Sequence, residues 1–202
     1  MVKIVRTRPS ADPNVRLRQR DPRALGRKDW VNAARRMLIA KGVERVRVDA
    51  LARALEISRG SFYWHFASRR ALLDALLEDW RARNTAPFVA IAADEGMSGE
   101  EKFRALADVW LDESDYDPAY DAAIRDWART SARVAARVRR VDRERIDLLA
   151  KICRDLGYAR REAEIRARIT YFHQVGYYAL GLKESGRVRR RLAPIYTRIL
   201  LG

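Results

Sequence analysis

From Asp29 onward apolar residues recur at three- and four-residue spacing almost without interruption, and that period commits the chain to helices. Trp30, Ala33, Ala34, Met37 and Leu38 mark one such face, closed by the cation Lys41 and the C-cap residue Gly42. Val43 to Val48 is short and β-branched, yet it reads as buried loop anchors, with Val43, Val46 and Val48 inward and Arg45 and Arg47 outward. Ala50, Leu51, Ala54 and Leu55 form one face of a very short helix, and Ser58 is placed as the N-cap of a second, Arg59 to Phe66. Ser68 caps a third helix that runs to about Asn84 and buries Leu72, Leu73, Leu76, Leu77 and Trp80. Pro87 and the Gly96–Gly99 stretch predict a break near residues 85–99. Beyond it, helices are expected near 100–111, 118–130, 132–156, 161–182 and 189–200, with Asp142 and Arg145 leaving the middle of the third polar. The expected fold class is all-α.

Charge says what such a helical protein meets. The net charge is +15, and residues 1–67 hold 16 Lys or Arg against 6 Asp or Glu, whereas residues 68–202 hold 26 against 21. A polyanion is the partner that this excess at the front suits. Residues 1–26, with Pro9, Pro13, Pro22 and alternating Arg16, Arg18 and Arg20, read as a flexible basic arm that follows a phosphate backbone or enters a minor groove, or else as a solubilising tail. The single Cys153 excludes an intramolecular disulfide framework, and with only two His a structural zinc is not expected. No metal or other cofactor is called for. Absence of a signal-like apolar segment or membrane span leads to the expectation of a cytoplasmic protein without membrane contact.

Two short helices joined by a tight turn in the most basic third of the chain meet the requirement of a helix-turn-helix, whose second helix enters a groove about 12 Å wide. Ser58-Arg59-Gly60-Ser61-Phe62-Tyr63-Trp64-His65-Phe66 supplies the mixture. Arg59 reaches guanine O6 and N7 or a phosphate, Ser61 a base edge or a phosphate, and Gly60 lets the backbone come close. Tyr63 and His65 can donate to phosphate oxygens; alternatively Tyr63, Trp64 and His65 only cover the core that Phe62 and Phe66 enter, and His65 bridges helices. The expected DNA-contacting set is Arg47, Ser58, Arg59, Gly60, Ser61, Tyr63, Trp64, His65 and Arg69.

The run VRVDALARALEISRGSFYWHFASRRALLDALL, with Tyr63-x-His65-Phe66 followed by Ser68-Arg69-x-x-Leu72, resembles the DNA-binding region of the TetR/AcrR family of bacterial transcriptional regulators over residues 29–84. The resemblance implies a positioning helix at 50–56 and a recognition helix at 59–65, with Tyr63 and Arg69 on phosphates. Position 69 is more often Lys in the family, and Gly often stands where this chain has Glu56. It further implies a three-helix DNA-binding domain at 27–73 after the arm at 1–26, then a helical effector-binding and dimerisation domain at 74–202.

The resemblance also implies that the last two helices pair with those of a twin, here through Ile165, Ile169, Phe172, Gly176, Leu192, Ile195 and Ile199, although some of these side chains could instead close the protein's own core. The expected contacts to a mainly apolar effector are Trp110, Tyr120, Trp127, His173 and Tyr177, whose polar tips could orient it. Asp112, Glu113, Asp115, Asp117 and Asp121 suit a cationic effector or, more simply, a solvated loop and helix start. The resulting expectation is a homodimeric repressor of double-stranded DNA, bound to an inverted repeat and released when an effector shifts the helix that begins at Arg69. The alternative is an architectural protein that coats DNA regardless of sequence. An enzyme is not expected, since no phosphate loop, HExxH, paired Cys or nucleophile elbow occurs.

Overall fold

The computed structural model describes residues 25–182 and 184–201. The basic arm therefore lies, but for its last two residues, outside the described residues. Within them the chain forms nine α-helices: α1 Arg27–Lys41, α2 Val48–Ala54, α3 Arg59–Tyr63, α4 Arg69–Ala93, α5 Gly99–Asp112, α6 Pro118–Thr130, α7 Ala132–Asp155, α8 Arg160–Ala179 and α9 Gly186–Leu201. Between α1 and α2 a single 3-10 turn, Val43–Arg45, delivers Val46 fully buried into the core, as loop anchoring requires.

Caps set most helix starts. Ser68 accepts from the Ala71 amide at 3.2 Å, Asp117 from that of Tyr120 at 2.9 Å ahead of Pro118, and Ser98 exchanges bonds with Glu101 in a capping box. Ser58 departs from expectation: it occupies the N-cap position of α3, but its hydroxyl makes no cap bond.

The expected break at Pro87 does not occur. α4 passes through it to Ala93, and the interruption shrinks to residues 94–98. Proline removes one backbone hydrogen bond, but Phe88 and Ala92, both buried, pin the following turn into a core. One turn earlier, the Asn84 amide ties α4 to the loop before α6, donating to the Asp117 carbonyl at 2.9 Å and accepting from its amide at 3.2 Å. Consequently α4 runs uninterrupted across residues 73–74 and belongs to both halves of the chain.

Two apolar cores result. The front core joins Trp30, Leu38, Val46, Leu51, Phe62 and Leu76 to Tyr120, Ile124 and Trp127 of α6 and to Val134, Val138 and Val141 of α7. The rear core collects Phe88, Phe103, Leu106, Trp110, Leu149, Ile152 and Tyr171. Each such side chain, fully buried, contributes roughly 1.5–3 kcal/mol of transfer free energy, so either core can hold its helices together.

The polar middle of α7 fills the seam between them. Arg145 is 0% exposed; it donates to Asp121 at 3.0 Å, to Thr85 at 3.1 Å and to the Tyr171 hydroxyl at 3.3 Å. Asp121 also accepts from the Trp80 indole at 2.9 Å and from Arg125 at 2.7 Å, and Arg125 continues to Asp142 at 2.7 Å. Burial alone would raise the Asp121 carboxyl, but the guanidinium groups of Arg145 and Arg125 outweigh it and hold the pKa below the ordinary value. The expectation that Asp121 belongs to a solvated acidic loop is thereby corrected.

Candidate nucleic-acid interface and effector cavity

The packing of α3 decides which of its residues face outward. Phe62 is buried edge-on against Trp30 at 5.2 Å and stacked on Phe66 at 5.5 Å, so the opposite side of this five-residue helix is left to solvent. Tyr63 is 53% exposed and Trp64 88%, and Arg59 and Gly60 lie on the same open surface. Covering the core therefore does not account for Tyr63 and Trp64. Gly60 has neither a left-handed φ nor a crowded Cβ position, its nearest neighbour being the Ser58 hydroxyl at 3.8 Å. Within the protein an alanine would fit there, so the open space lies on the outer face.

Arg59 pairs with Asp49 of α2 at 3.2 Å, both largely exposed. A hydrogen bond with Tyr63, together with the Asp49 charge, raises its pKa further, and the guanidinium stays charged. A pair this wet is worth little, so it positions Arg59 over α3 without withholding it from another anion. Arg47 is also exposed, donating to the Glu44 carbonyl at 3.3 Å, and His65 is half-buried at the end of the helix.

Two expected contacts sit differently. Ser61 is only 9% exposed, because it lies on the Phe62 side of α3. Arg69, given to phosphate at the outset, spends Nε on the Val46 carbonyl at 2.6 Å and Nη2 on the Val43 carbonyl at 2.7 Å. It clamps the start of α4 to the turn before α2. Glu56, at the turn between the two short helices, has φ 57°, the left-handed conformation that favours glycine.

In the second half, α5, α8 and α9 enclose a cavity of about 80 Å³ with a wider mouth. Trp110, His173 and Tyr177 line it, whereas Tyr120 and Trp127 do not. Those two belong to the front core, where the Tyr120 hydroxyl donates to the Leu76 carbonyl at 2.7 Å. Burial lowers the His173 pKa and favours the neutral ring, which lies 4.6 Å from that of Tyr196. Sequence reasoning missed Thr170 and Gln174, although Thr170, His173, Gln174 and Tyr177 follow a single helical face.

The opposite face of α8 and the outer face of α9 are apolar and open: Ile165, Ile169, Phe172, Ile195 and Ile199 are all exposed, the last at 71%. Gly176 and Leu192 lie half-buried beside them. Among the described residues no cluster of His, Cys, Asp and Glu could hold a metal, and no helix is long and apolar enough to cross a membrane.

A short helix, a turn and a second short helix with an open polar face, carried by α4 on a larger helical body, define a helix-turn-helix protein of the two-part, all-α kind. Residues 31–76 match the model described as bacterial regulatory proteins, tetR family. The tetracycline repressor protein class A from transposon 1721 of Escherichia coli is 38% identical over 68 residues, 34% of this chain and 32% of that protein. The match thus spans about a third of that relative's length, and over the rest the likeness is one of fold. GusR from Salmonella enterica superposes with a TM-score of 0.68 at 20% identity, over 86% of this chain and 92% of that one. A TetR-like transcriptional regulator from Rhodococcus sp. RHA1 does so at 0.65 and 22%, over 91% and 100%. Residues 31–76 thus carry the sequence pattern of the TetR family's DNA-binding region, and over the rest of the chain the likeness to solved TetR-like regulators is one of fold.

Proposed function

We propose that the protein is a homodimeric repressor that binds an inverted repeat in double-stranded DNA through α3 and is released by a small, mainly apolar effector held between α5, α8 and α9. The observation that carries this reading is the open face of α3, with Arg59, Gly60, Tyr63 and Trp64 outward over a core closed by Phe62. Arg59 would read a guanine edge or a phosphate, Tyr63 and Arg47 would donate to phosphates, and Trp64 would lay its apolar ring against base edges such as thymine methyl. One five-residue helix reads too little sequence for a selective site. The exposed apolar faces of α8 and α9 suit pairing with a second copy, which doubles the reading at half-sites about one turn apart.

Release would run from the cavity through Trp110. Its ring lines the cavity and meets Phe88 of α4 edge-on at 5.6 Å, and α4 begins at the Arg69 clamp on the helix-turn-helix. An effector that moves Trp110 moves α4, and DNA with fixed half-site spacing resists that motion. Linkage of about 1–3 kcal/mol, roughly 5- to 150-fold in DNA affinity, is the usual scale. The test is selection of duplexes from a random library by the purified protein at near-physiological salt, followed by sequencing. An enriched inverted repeat is expected; retention without any motif would favour an architectural DNA-coating role, and no retention would refute the recognition face.

A further inference from the structure

The cavity between α5, α8 and α9 holds two buried polar groups without partners. Thr170, 3% exposed, has an unbonded hydroxyl, and the Gln174 side-chain nitrogen one turn later is likewise unbonded. Both residues line the cavity. Leaving such groups dry and unpaired is costly, so what fills the cavity is selected for satisfying them. Gln174 Nε2 can only donate, and a hydroxyl can donate to the same oxygen, so the pair asks for an acceptor at this depth. Around them the walls are aromatic: Phe103, Trp110, Tyr177 and Tyr196.

Charge narrows the class. Arg189, the one Lys or Arg among the lining residues, is already engaged, through Nη1 with Glu113 at 2.6 Å and through Nη2 with the Trp110 carbonyl at 2.5 Å. His173 is kept toward its neutral form by burial. An anionic ligand would therefore find no uncommitted charge to pair with. A cationic one would lie near the Arg189 guanidinium, which sits 5.0 Å over the Tyr177 ring; Glu113 and Asp112 are paired with Arg189 and Arg190, and Glu184, the one carboxylate among the lining residues, is exposed to solvent, which screens it. Size narrows it again, since about 80 Å³ against the 10–15 Å³ that one water needs leaves room for roughly six water-sized groups. That is one ring with a short substituent.

We infer that the effector is an uncharged, single-ring aromatic molecule whose carbonyl oxygen is received by Thr170 and Gln174, its ring lying among Phe103, Trp110, Tyr177 and Tyr196. This rests on the reading of the cavity as the effector site.

Four matched probes test it on the full chain by calorimetric titration: acetophenone, ethylbenzene, benzoate and benzylamine. Acetophenone is expected to bind at least about tenfold more tightly than ethylbenzene, which lacks the acceptor, and more tightly than either ion. In the Thr170→Val, Gln174→Met double variant that preference should vanish. Ala193→Trp, which fills the cavity, should abolish acetophenone binding, and far-ultraviolet circular dichroism of each variant establishes that it is folded. Equal binding of acetophenone and ethylbenzene to the wild type, or preference for an ion, with Ala193→Trp blocking either, overturns the ligand class while leaving the cavity as the site. Absence of binding by all four probes, or binding untouched by Ala193→Trp, overturns the cavity reading and the inference with it.

Discussion

Replacing Arg69 with Met keeps the aliphatic stem and removes the guanidinium, which separates two roles for this position. In the structure the guanidinium donates at 2.6 and 2.7 Å to the carbonyls of Val46 and Val43, from a half-buried setting. Hydrogen bonds from a charged donor contribute roughly 1.5–3 kcal/mol each when shielded, and partial exposure brings the pair to about 2–3 kcal/mol in all. For a chain of this length that is a fall in Tm of about 4–12 °C. A phosphate contact has another signature: each one lost flattens the slope of log K against log salt by about 0.9, hence by about 1.8 for a dimer. Arg69→Met should therefore melt early and bind operator more weakly at every salt concentration with nearly the same slope, and Lys at this position should recover about half of the loss. Thermal melts and DNA titrations at several salt concentrations measure both quantities. An unchanged Tm with a slope flattened by about 1.8 would refute the clamp and return Arg69 to the phosphate.

Other perturbations follow from the packing. Glu56→Gly removes a left-handed φ of 57° that costs a non-glycine residue about 1–2 kcal/mol, and after the entropy of the more flexible unfolded chain it should raise stability by about 0.5–1 kcal/mol in urea denaturation; a loss would contradict the strain argument. Gly99→Ala would set a Cβ 2.5 Å from backbone atoms of Asp155 and Leu156, so α5 must retreat from α7, with an expected loss of about 1–3 kcal/mol by the same measurement. Arg145→Leu leaves Asp121 with only part of its charge compensation and should cost about 3–5 kcal/mol, part of it recovered by adding Asp121→Asn; a neutral single variant would show that the seam is not as dry as its burial implies. The Cys153 thiol is pushed up to about 11, chiefly by burial, so the native protein should resist thiol reagents at pH 8 and react fully once unfolded in urea.

Local rules made the helices legible. Helix α6 begins at Pro118 and ends at Thr130 as patterning and punctuation require, and Leu51 and Phe62 of the short helices point inward as their spacing demands, although in α2 it is Ala52 that is buried and Ala54, expected inward, that is exposed. What misled was tertiary packing. Pro87 is a helix breaker by local chemistry, but Phe88 and Ala92 are anchored in the rear core, and the helix continues. Tyr120 and Trp127 carry polar tips on large rings, the mark of pocket residues, but α6 lies against α4, where the Tyr120 hydroxyl finds the Leu76 carbonyl. Ser61 and Arg69 likewise have the right chemistry for DNA, and only the direction in which each side chain leaves its helix separates them from Arg59 and Tyr63. Thr170 and Gln174 escaped notice because an unpaired polar group is visible only when its neighbours are placed.

The front core bears on what can move when an effector binds. A pendulum motion of α4 by itself would have to break the Tyr120–Leu76 bond, the Trp80–Asp121 bond and the Asn84 bridge to Asp117, all of which join α4 to α6 or to the loop before it. It would also shear ion pairs between α4 and α7, namely Arg133–Asp74, Arg137–Glu78 and Arg81–Glu144. Breaking these four buried or half-buried bonds at about 1 kcal/mol each would already exceed the roughly 1–3 kcal/mol that effector coupling commonly supplies. In the proposed release the moving body would therefore be the helix-turn-helix together with the front-core part of α4, α6 and the first half of α7. Its boundary with the rear core is the polar seam at Arg145, where hydrogen bonds can exchange partners at less cost than interlocked apolar side chains can be repacked. Trp110 meets Phe88 on the rear-core side of that seam, so an effector in the proposed cavity would act on the joint between two bodies rather than on one helix.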